Sequence, residues 1–284
     1  MADHKDNAAP KLAGVIGHPI SHSLSPLIHT EWARRASVNG RYIPIDVPPS
    51  FEEFAAAMDE LKARGFAGVN VTLPHKENAL RYADAASDGA RQAGAANMLT
   101  FGEKTFADNS DIAGFAEAVR AQTSAPGQSA LVLGAGGAAR GVILALQSLG
   151  VANITITNRT RNKAEALAAS FDLAVADWDA RGQAIENIDI LVNTTSLGMS
   201  GQPPLEMDLA GLNPTALVAD IVYSPLETPL LHAAKARGHK TVDGLSMLMH
   251  QAVPGFKAWL GGEALVDDAL CEILVAELKK QGRL

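Results

Sequence analysis

The sequence predicts an α/β protein of two domains. Strand and helix patterns alternate from residue 11 onward and again from residue 129. Between the two series lies a polar cluster with Pro and Gly, Ser124-Ala-Pro-Gly-Gln128, which marks a candidate boundary. Such alternation implies parallel sheets covered by helices. The chain has 284 residues, enough for two domains with ample core.

In the first series KLAGVIG, residues 11–17, reads as a strand ending at Gly17-His-Pro19. A helix follows from about Pro26, then the strand RYIPIDV and the periodic helix FEEFAAAMDELKAR, ended by Gly65. GVNVTL, 68–73, is a third strand, and HKENALRYADAAS a helix behind it. AANMLTF and KTFADN read as short strands joined by Gly102-Glu-Lys104, and IAGFAEAVRAQ as a helix. The second series runs strand SALVL, a glycine turn, helix, strand NITIT, helix NKAEALAASF, strand IDILVNTT, strand ALVADIVY, helix LLHAAKARG and strand HKTVDG. Two helices end the chain. In the last, Leu265, Leu270, Ile273, Leu274 and Leu278 have nearly the spacing of one face. Residues 1–10 read as a loose tail.

Composition narrows the function. The formal charge of -7 and pI near 5.6 argue against nucleic-acid and membrane-surface partners. No run of about 18 apolar residues suggests a membrane span, and the N-terminus lacks a signal-peptide pattern. The single cysteine, Cys271, excludes a disulfide framework and fits a reducing cytoplasm. The eight histidines show no metal-binding spacing, so no metal is expected.

Gly134-Ala-Gly-Gly-Ala-Ala139 follows an apolar strand and opens an apolar helix. This is the dinucleotide fingerprint in the context it requires. Gly134 permits the tight turn, Gly136 lets backbone approach a pyrophosphate, and the helix N-terminus offers donors to that anion. The next strand ends in Asn158-Arg159-Thr160. An NAD-selective domain usually has an acid there, whereas an arginine accommodates a 2′-phosphate. With Arg159 and Lys163 in place of that acid, a Rossmann-type domain binding NADP is expected.

Lys76 falls in the first turn of its helix, where the dipole favours an acid such as Glu77 and disfavours a cation. Either its ammonium is merely solvated or it has a chemical task. Three polar clusters fall at strand ends, where open α/β sheets bind ligands: Ser21-His-Ser-Leu-Ser25; Asn70, Thr72 and Lys76; and Asp108-Asn-Ser-Asp111. Ser23 and Ser25 could cap a helix or donate to a carboxylate. Asp111 could cap, or pair with Lys76. A ketone that accepts hydride must also gain a proton on oxygen, which a Lys–Asp pair can supply.

GHPISHSLSPLIH, NVTLPHK, AGAANML, DNSD, GAGGAAR, NRTRNK, DIVYSPLETP and DGLSMLMHQA, in this order, resemble the motifs of the shikimate dehydrogenase family of aromatic amino-acid biosynthesis. The resemblance covers nearly the whole chain after the tail. It implies a substrate domain with a mainly parallel sheet over 11–111 and 246–284, and a Rossmann-type NADP domain over 112–245. The C-terminal helices would return to the substrate domain. It implies Lys76 and Asp111 as catalytic residues. Ser23, Ser25, Asn70, Thr72, Asn97, Tyr223 and Gln251 would bind substrate. On the cofactor side it implies Gly134, Ala135, Gly136, Gly137, Ala138, Asn158, Arg159, Thr160, Lys163, Thr195, Ile221, Gly244 and Met247. The expected reaction is reversible, NADP-dependent reduction of 3-dehydroshikimate to shikimate, by a cytoplasmic monomer or homodimer.

Two positions depart from the usual family pattern: Ser246 stands where Gly is common, and Ser110 where Thr is frequent. Three other readings compete. An NAD-using quinate/shikimate dehydrogenase is disfavoured by the Ser23/Ser25 pair and the missing ribose acid. A low-turnover NADP(H) sensor has no need for Lys76 and Asp111. A methylene-folate dehydrogenase calls for a more aromatic pocket than a chain with 5% aromatic residues suggests.

Overall fold

A computed structural model describes residues 9–283; the expected tail, apart from Ala9 and Pro10, lies outside the described residues. The chain forms two compact units. One comprises residues up to Ser110 with Ala252–Leu270, the other Asp111–Gln251 with Cys271–Leu284.

The first unit contains, in chain order, β1 (Lys11–Gly17), α1 (Ser25–Arg35), β2 (Gly40–Asp46), α2 (Phe51–Ala63), β3 (Phe66–Val71), α3 (Lys76–Tyr82), β4 (Ala85–Ala86), α4 (Asp88–Ala93), β5 (Met98–Thr100) and β6 (Phe106–Asp108). Its sheet has the order β2-β1-β3-β5-β6-β4. β1 is parallel to β2 and β3, whereas β5 runs antiparallel to β3 and β6. Central β1 buries Ala13, Val15 and Ile16 in succession, the continuous apolar run of a strand covered on both faces. Pro44 lies in edge strand β2, where a missing N–H costs no ladder bond.

α2 is capped by Ser50, whose Oγ accepts from the Glu53 N–H, the first half of a capping box, and also donates to the Glu53 carboxylate. It buries Phe54, Met58 and Leu61, one face at helical spacing. The helix expected over 75–87 is shorter. Ala83 turns extended, with ψ 145°, and the N–H groups of Asp84 and Ala85 donate to the Thr105 carbonyl. β4 then joins β6, so pairing at the sheet edge wins over helix propensity.

The second unit is formed by α5 (Ser110–Gln122, whose first residue belongs to the first unit), β7 (Ser129–Leu133), α6 (Gly137–Ser148), β8 (Asn153–Thr157), α7 (Arg161–Phe171), β9 (Ala174–Ala176), β10 (Ile190–Asn193), β11 (Leu217–Asp220), α8 (Pro229–Ala236), β12 (Lys240–Val242) and parts of α9 (Gly244–Trp259) and α10 (Asp268–Lys280). The strand order is β12-β11-β10-β7-β8-β9, parallel throughout. The order reverses between β7 and β10, the switch point at which doubly wound sheets bind nucleotides. Val142, Ile143 and Leu146 of α6 pack with Ile154, Ile156 and Val192 in the core.

The last helix buries Leu270, Leu274 and Leu278, a narrower stripe than the spacing suggested. Ile273 is half-buried. Leu265 precedes the helix and is exposed; its carbonyl accepts from the Trp32 indole at 2.8 Å. Past Leu270 the chain is tied to the second unit: the Ser224 hydroxyl donates to the Arg283 carbonyl, and the Arg283 guanidinium lies over the Tyr223 ring.

Candidate active site

In the first unit, several of the expected residues collect at the carboxyl ends of β1 and β3. Asn70, near the end of β3, is buried, and its Nδ2 donates to the Asn97 carbonyl at 3.2 Å. The Asn97 side chain accepts at Oδ1 from the Ser110 N–H at 2.7 Å and from the Ser110 hydroxyl at 3.2 Å. The Ala96 N–H donates to the Lys76 carbonyl at 2.9 Å, so the segment leading into β5 and the start of α3 are held together. Lys76 is the first residue of α3 and half-buried.

The turn before Lys76 is anchored by His75, which is fully buried. Its Nε2 is 2.8 Å from the Val47 carbonyl, which can only accept, so Nε2 carries the proton and Nδ1 accepts from the Asn78 amide. Thr72 donates its N–H to Ile16 and accepts the His75 N–H at its carbonyl. A Cβ on Gly17 would meet Thr72 Cγ2 at 2.6 Å, so glycine at the end of β1 is what admits Thr72. Ser25 opens α1 and is buried, and Ser23 Oγ accepts the Ser25 N–H at 3.3 Å. Neither serine caps α1: the N-cap is Leu24, with no side-chain bond.

The second unit carries the nucleotide features. Gly134 has φ +107°, and a Cβ there would meet Thr194 Oγ1 at 2.7 Å and Thr195 Cγ2 at 2.9 Å; only glycine fits. At Gly136 and Gly137 a Cβ would meet nothing within 4 Å, leaving an open cradle at the start of α6. Gly136 is the N-cap of α6 and no side chain caps it, so first-turn N–H groups there are available to an anion. Asn158 accepts the Ala135 N–H and donates to the Thr160 carbonyl, joining the glycine turn to the arginine loop. Arg159 and Lys163 are exposed and form no ion pair among the described residues. Arg161 is instead engaged by Glu165 and Asp177. The cradle, the uncapped helix and the unpaired cations fit an NADP molecule.

At the end of β11, Ile221 and Gly244 touch: a Cβ on Gly244 would lie 2.3 Å from the Ile221 carbonyl oxygen. The Ser246 N–H donates to Asp243 at 2.8 Å, a helix cap that serine meets as well as glycine. Met247 follows in the first turn of α9. Gln251 is buried, and a Cβ on Gly114 would meet its Cβ at 2.5 Å. Tyr223 is half-buried, and Asp111 lies in the first turn of α5.

Two networks escaped the sequence reading. Asp220 accepts from Asn193, from the Val222 N–H and from Thr228. Asn193 Oδ1 accepts from Thr195 N–H and Oγ1, so this carboxylate braces the loops holding Thr195 and Ile221. Burial pushes Asp220 up to about 6 against these hydrogen bonds. Its one signal was an acid ending an apolar strand. The second network, His29–Tyr42–Asn70, had no sequence signal, because its members come from three separate elements.

An open parallel sheet with a glycine cradle at its switch point and two unpaired cations after β8 defines a dinucleotide-binding α/β protein. Residues 15–99 match the family described as shikimate dehydrogenase substrate binding domain, and residues 116–200 match shikimate / quinate 5-dehydrogenase. The chain is 50% identical over 270 residues to shikimate dehydrogenase (NADP(+)) of Acidiphilium cryptum, covering 94% of this chain and 97% of that protein. The Thermus thermophilus shikimate 5-dehydrogenase, solved with NADP(H) and shikimate, is similar with TM-score 0.83 and 35% identity, over 94% of this chain and 99% of that one. A Corynebacterium glutamicum quinate dehydrogenase, solved with NAD, has TM-score 0.86 and 28% identity, over 95% and 100%. The chain belongs to the shikimate dehydrogenase family.

Proposed function

We propose that the chain is an NADP-dependent shikimate dehydrogenase that interconverts 3-dehydroshikimate and shikimate in aromatic amino-acid biosynthesis. The observation that carries the cofactor choice is Arg159 with Lys163, exposed and unpaired after β8, with no acid at the strand end. Relatives named as NADP(+) enzymes at up to 50% identity support it. Residues 11–111 with 246–284 are assigned to the substrate and 112–245 to the cofactor, a functional division that differs from the two compact units at Asp111, 246–251 and Cys271–Leu284.

NADPH, when bound, would supply the hydride. The protein's residues hold the substrate and move the proton. Ser23 and Ser25 donate to the substrate carboxylate, while Asn70, Thr72, Asn97, Tyr223 and Gln251 bind its oxygens. Lys76 gives a proton to the carbonyl oxygen as it becomes an alkoxide, and Asp111 is its proton partner. In the reverse direction Lys76 takes that proton back. On the cofactor side Gly134, Ala135, Gly136, Gly137 and Ala138 approach the pyrophosphate, and Asn158, Arg159, Thr160 and Lys163 hold the 2′-phosphate end. Thr195, Ile221, Gly244 and Met247 would hold the nicotinamide end. The enzyme acts in the cytoplasm as a monomer or homodimer.

The test is the initial rate with shikimate and either NADP or NAD, for the wild type and Lys76→Ala. The reading expects fast turnover with NADP, little with NAD, and a loss of at least about a hundredfold in kcat for Lys76→Ala. Equal turnover with NAD would favour a quinate-type relative. Near-normal turnover of Lys76→Ala would remove the acid/base assignment.

A further inference from the structure

Asn70 is held in one orientation by groups on both sides of its amide. On one side Nδ2 faces the Asn97 carbonyl at 3.2 Å. A carbonyl only accepts, so the amide nitrogen must lie there and Oδ1 must point away. On the other side Oδ1 lies 2.7 Å from the Tyr42 hydroxyl, which donates to it. One hydrogen of Nδ2 is thereby spent on Asn97. The other has no acceptor among the described residues. Asn70 therefore has one N–H left to offer a ligand oxygen, and its direction is set by two fixed partners.

Tyr42 suits this task because it stays a donor. It is 6% exposed, and burial holds its phenol well above the ordinary tyrosine value. Its ring lies flat on His29, with centroids 3.7 Å apart and planes 7° apart. His29 is fully buried, with Trp32 and Phe256 around it, and neither ring nitrogen has a hydrogen-bond partner. A polar ring that makes no polar contact contributes its flat face, which fixes the plane of Tyr42. Gly255 leaves room at the amide: a Cβ there would come within 3.3 Å of Asn70 Oδ1 and 2.7 Å of the Trp259 ring.

We propose that Tyr42 is a positioning residue for substrate binding: it aims the remaining N–H of Asn70 at a substrate hydroxyl, and His29 supports it by stacking. This rests on the reading above that Asn70 binds substrate. The chemistry selected is an oxygen that can accept, as in a polyhydroxylated ring.

The experiment is a double-mutant cycle read as the Kd for shikimate and the KM for shikimate and for NADP, with Tyr42→Phe, Asn70→Ala and both together. Tyr42→Phe keeps the ring and removes only the donor. It is expected to weaken shikimate binding by about five- to tenfold, with the KM for NADP unchanged. In the Asn70→Ala background the same change is expected to have no effect. A Tyr42→Phe enzyme that binds shikimate normally, or an effect that is undiminished without Asn70, overturns the proposal. If Asn70→Ala binds shikimate normally, it is the substrate reading of Asn70 that fails. His29→Ala gives a second route that leaves the hydroxyl in place. At a temperature where the variant is folded, it is expected to weaken shikimate binding in the same direction, and unchanged binding overturns the part assigned to His29.

Discussion

Asn193 donates from Nδ2 to Asp220 Oδ1 at 3.1 Å, a buried bond between the ends of neighbouring parallel strands. Asp220 also accepts from Val222 and Thr228. Removing the carboxylate leaves three buried donors without an acceptor. Asp220→Ala is expected to destabilise the protein by about 3 kcal/mol at neutral pH, measured by denaturant unfolding.

Asp220 also makes stability depend on pH. Burial raises it from 3.8 to about 6, so the folded state holds the proton more tightly. That contribution is full below 3.8 and is lost as pH rises through about 6. Asp220→Asn keeps the neutral shape at every pH. Its stability relative to wild type is expected to rise by about 2–3 kcal/mol between pH 4 and pH 7. A flat difference over that window would show that Asp220 is not raised.

His29 works with the opposite sign. Burial lowers it to about 3, so the unfolded chain takes up its proton near pH 6.5 and the folded protein does not. Stability from this group is full above 6.5 and falls as pH drops toward 3. His29→Phe keeps a flat ring beneath Tyr42. Relative to that variant, the wild type is expected to lose about 1.4 kcal/mol per pH unit below 6.5. Parallel unfolding curves for both proteins from pH 7 to pH 4.5 would contradict this.

The glycine turn separates folding from binding. Gly134→Ala meets both a positive φ and the Thr194 side chain, and is expected to cost about 2 kcal/mol or more in stability. Gly136→Ala places its methyl in open space. It is expected to unfold like wild type, within about 0.5 kcal/mol, yet to bind NADP at least about tenfold more weakly. Calorimetry for folding and a fluorescence titration for binding check the two halves.

The arginines after β8 are expected to differ. Arg159→Ala should lower the preference for NADP over NAD by about ten- to a hundredfold in kcat/KM, as loss of a fork-like phosphate partner does. Arg161 is held by Glu165 and Asp177, and Arg161→Ala should leave that preference within about twofold. Equal effects of the two would mean that Arg161 leaves its carboxylates when NADP binds.

The sequence by itself determined what depends on neighbours along the chain. β1 starts and stops as the pattern predicts, α2 has its cap and its apolar face, and the glycine turn sits between β7 and α6. Periodicity, caps and a residue without Cβ act over a few positions, so they are legible without a fold. The tertiary structure decided what depends on register and on competition. Pairing of β4 with β6 cut α3 short, which no local propensity foretold. Leu265 matches the apolar spacing of the last helix but lies before it, exposed, with only its carbonyl used. Tyr42 meets Asn70, Asn97 meets Ser110 and Asn193 meets Asp220 only because strands align them across 13 to 28 residues of chain. A hydrogen bond needs its donor and acceptor about 3 Å apart, to within a few tenths of an ångström; chain pattern names the residues, and the fold brings them to that distance.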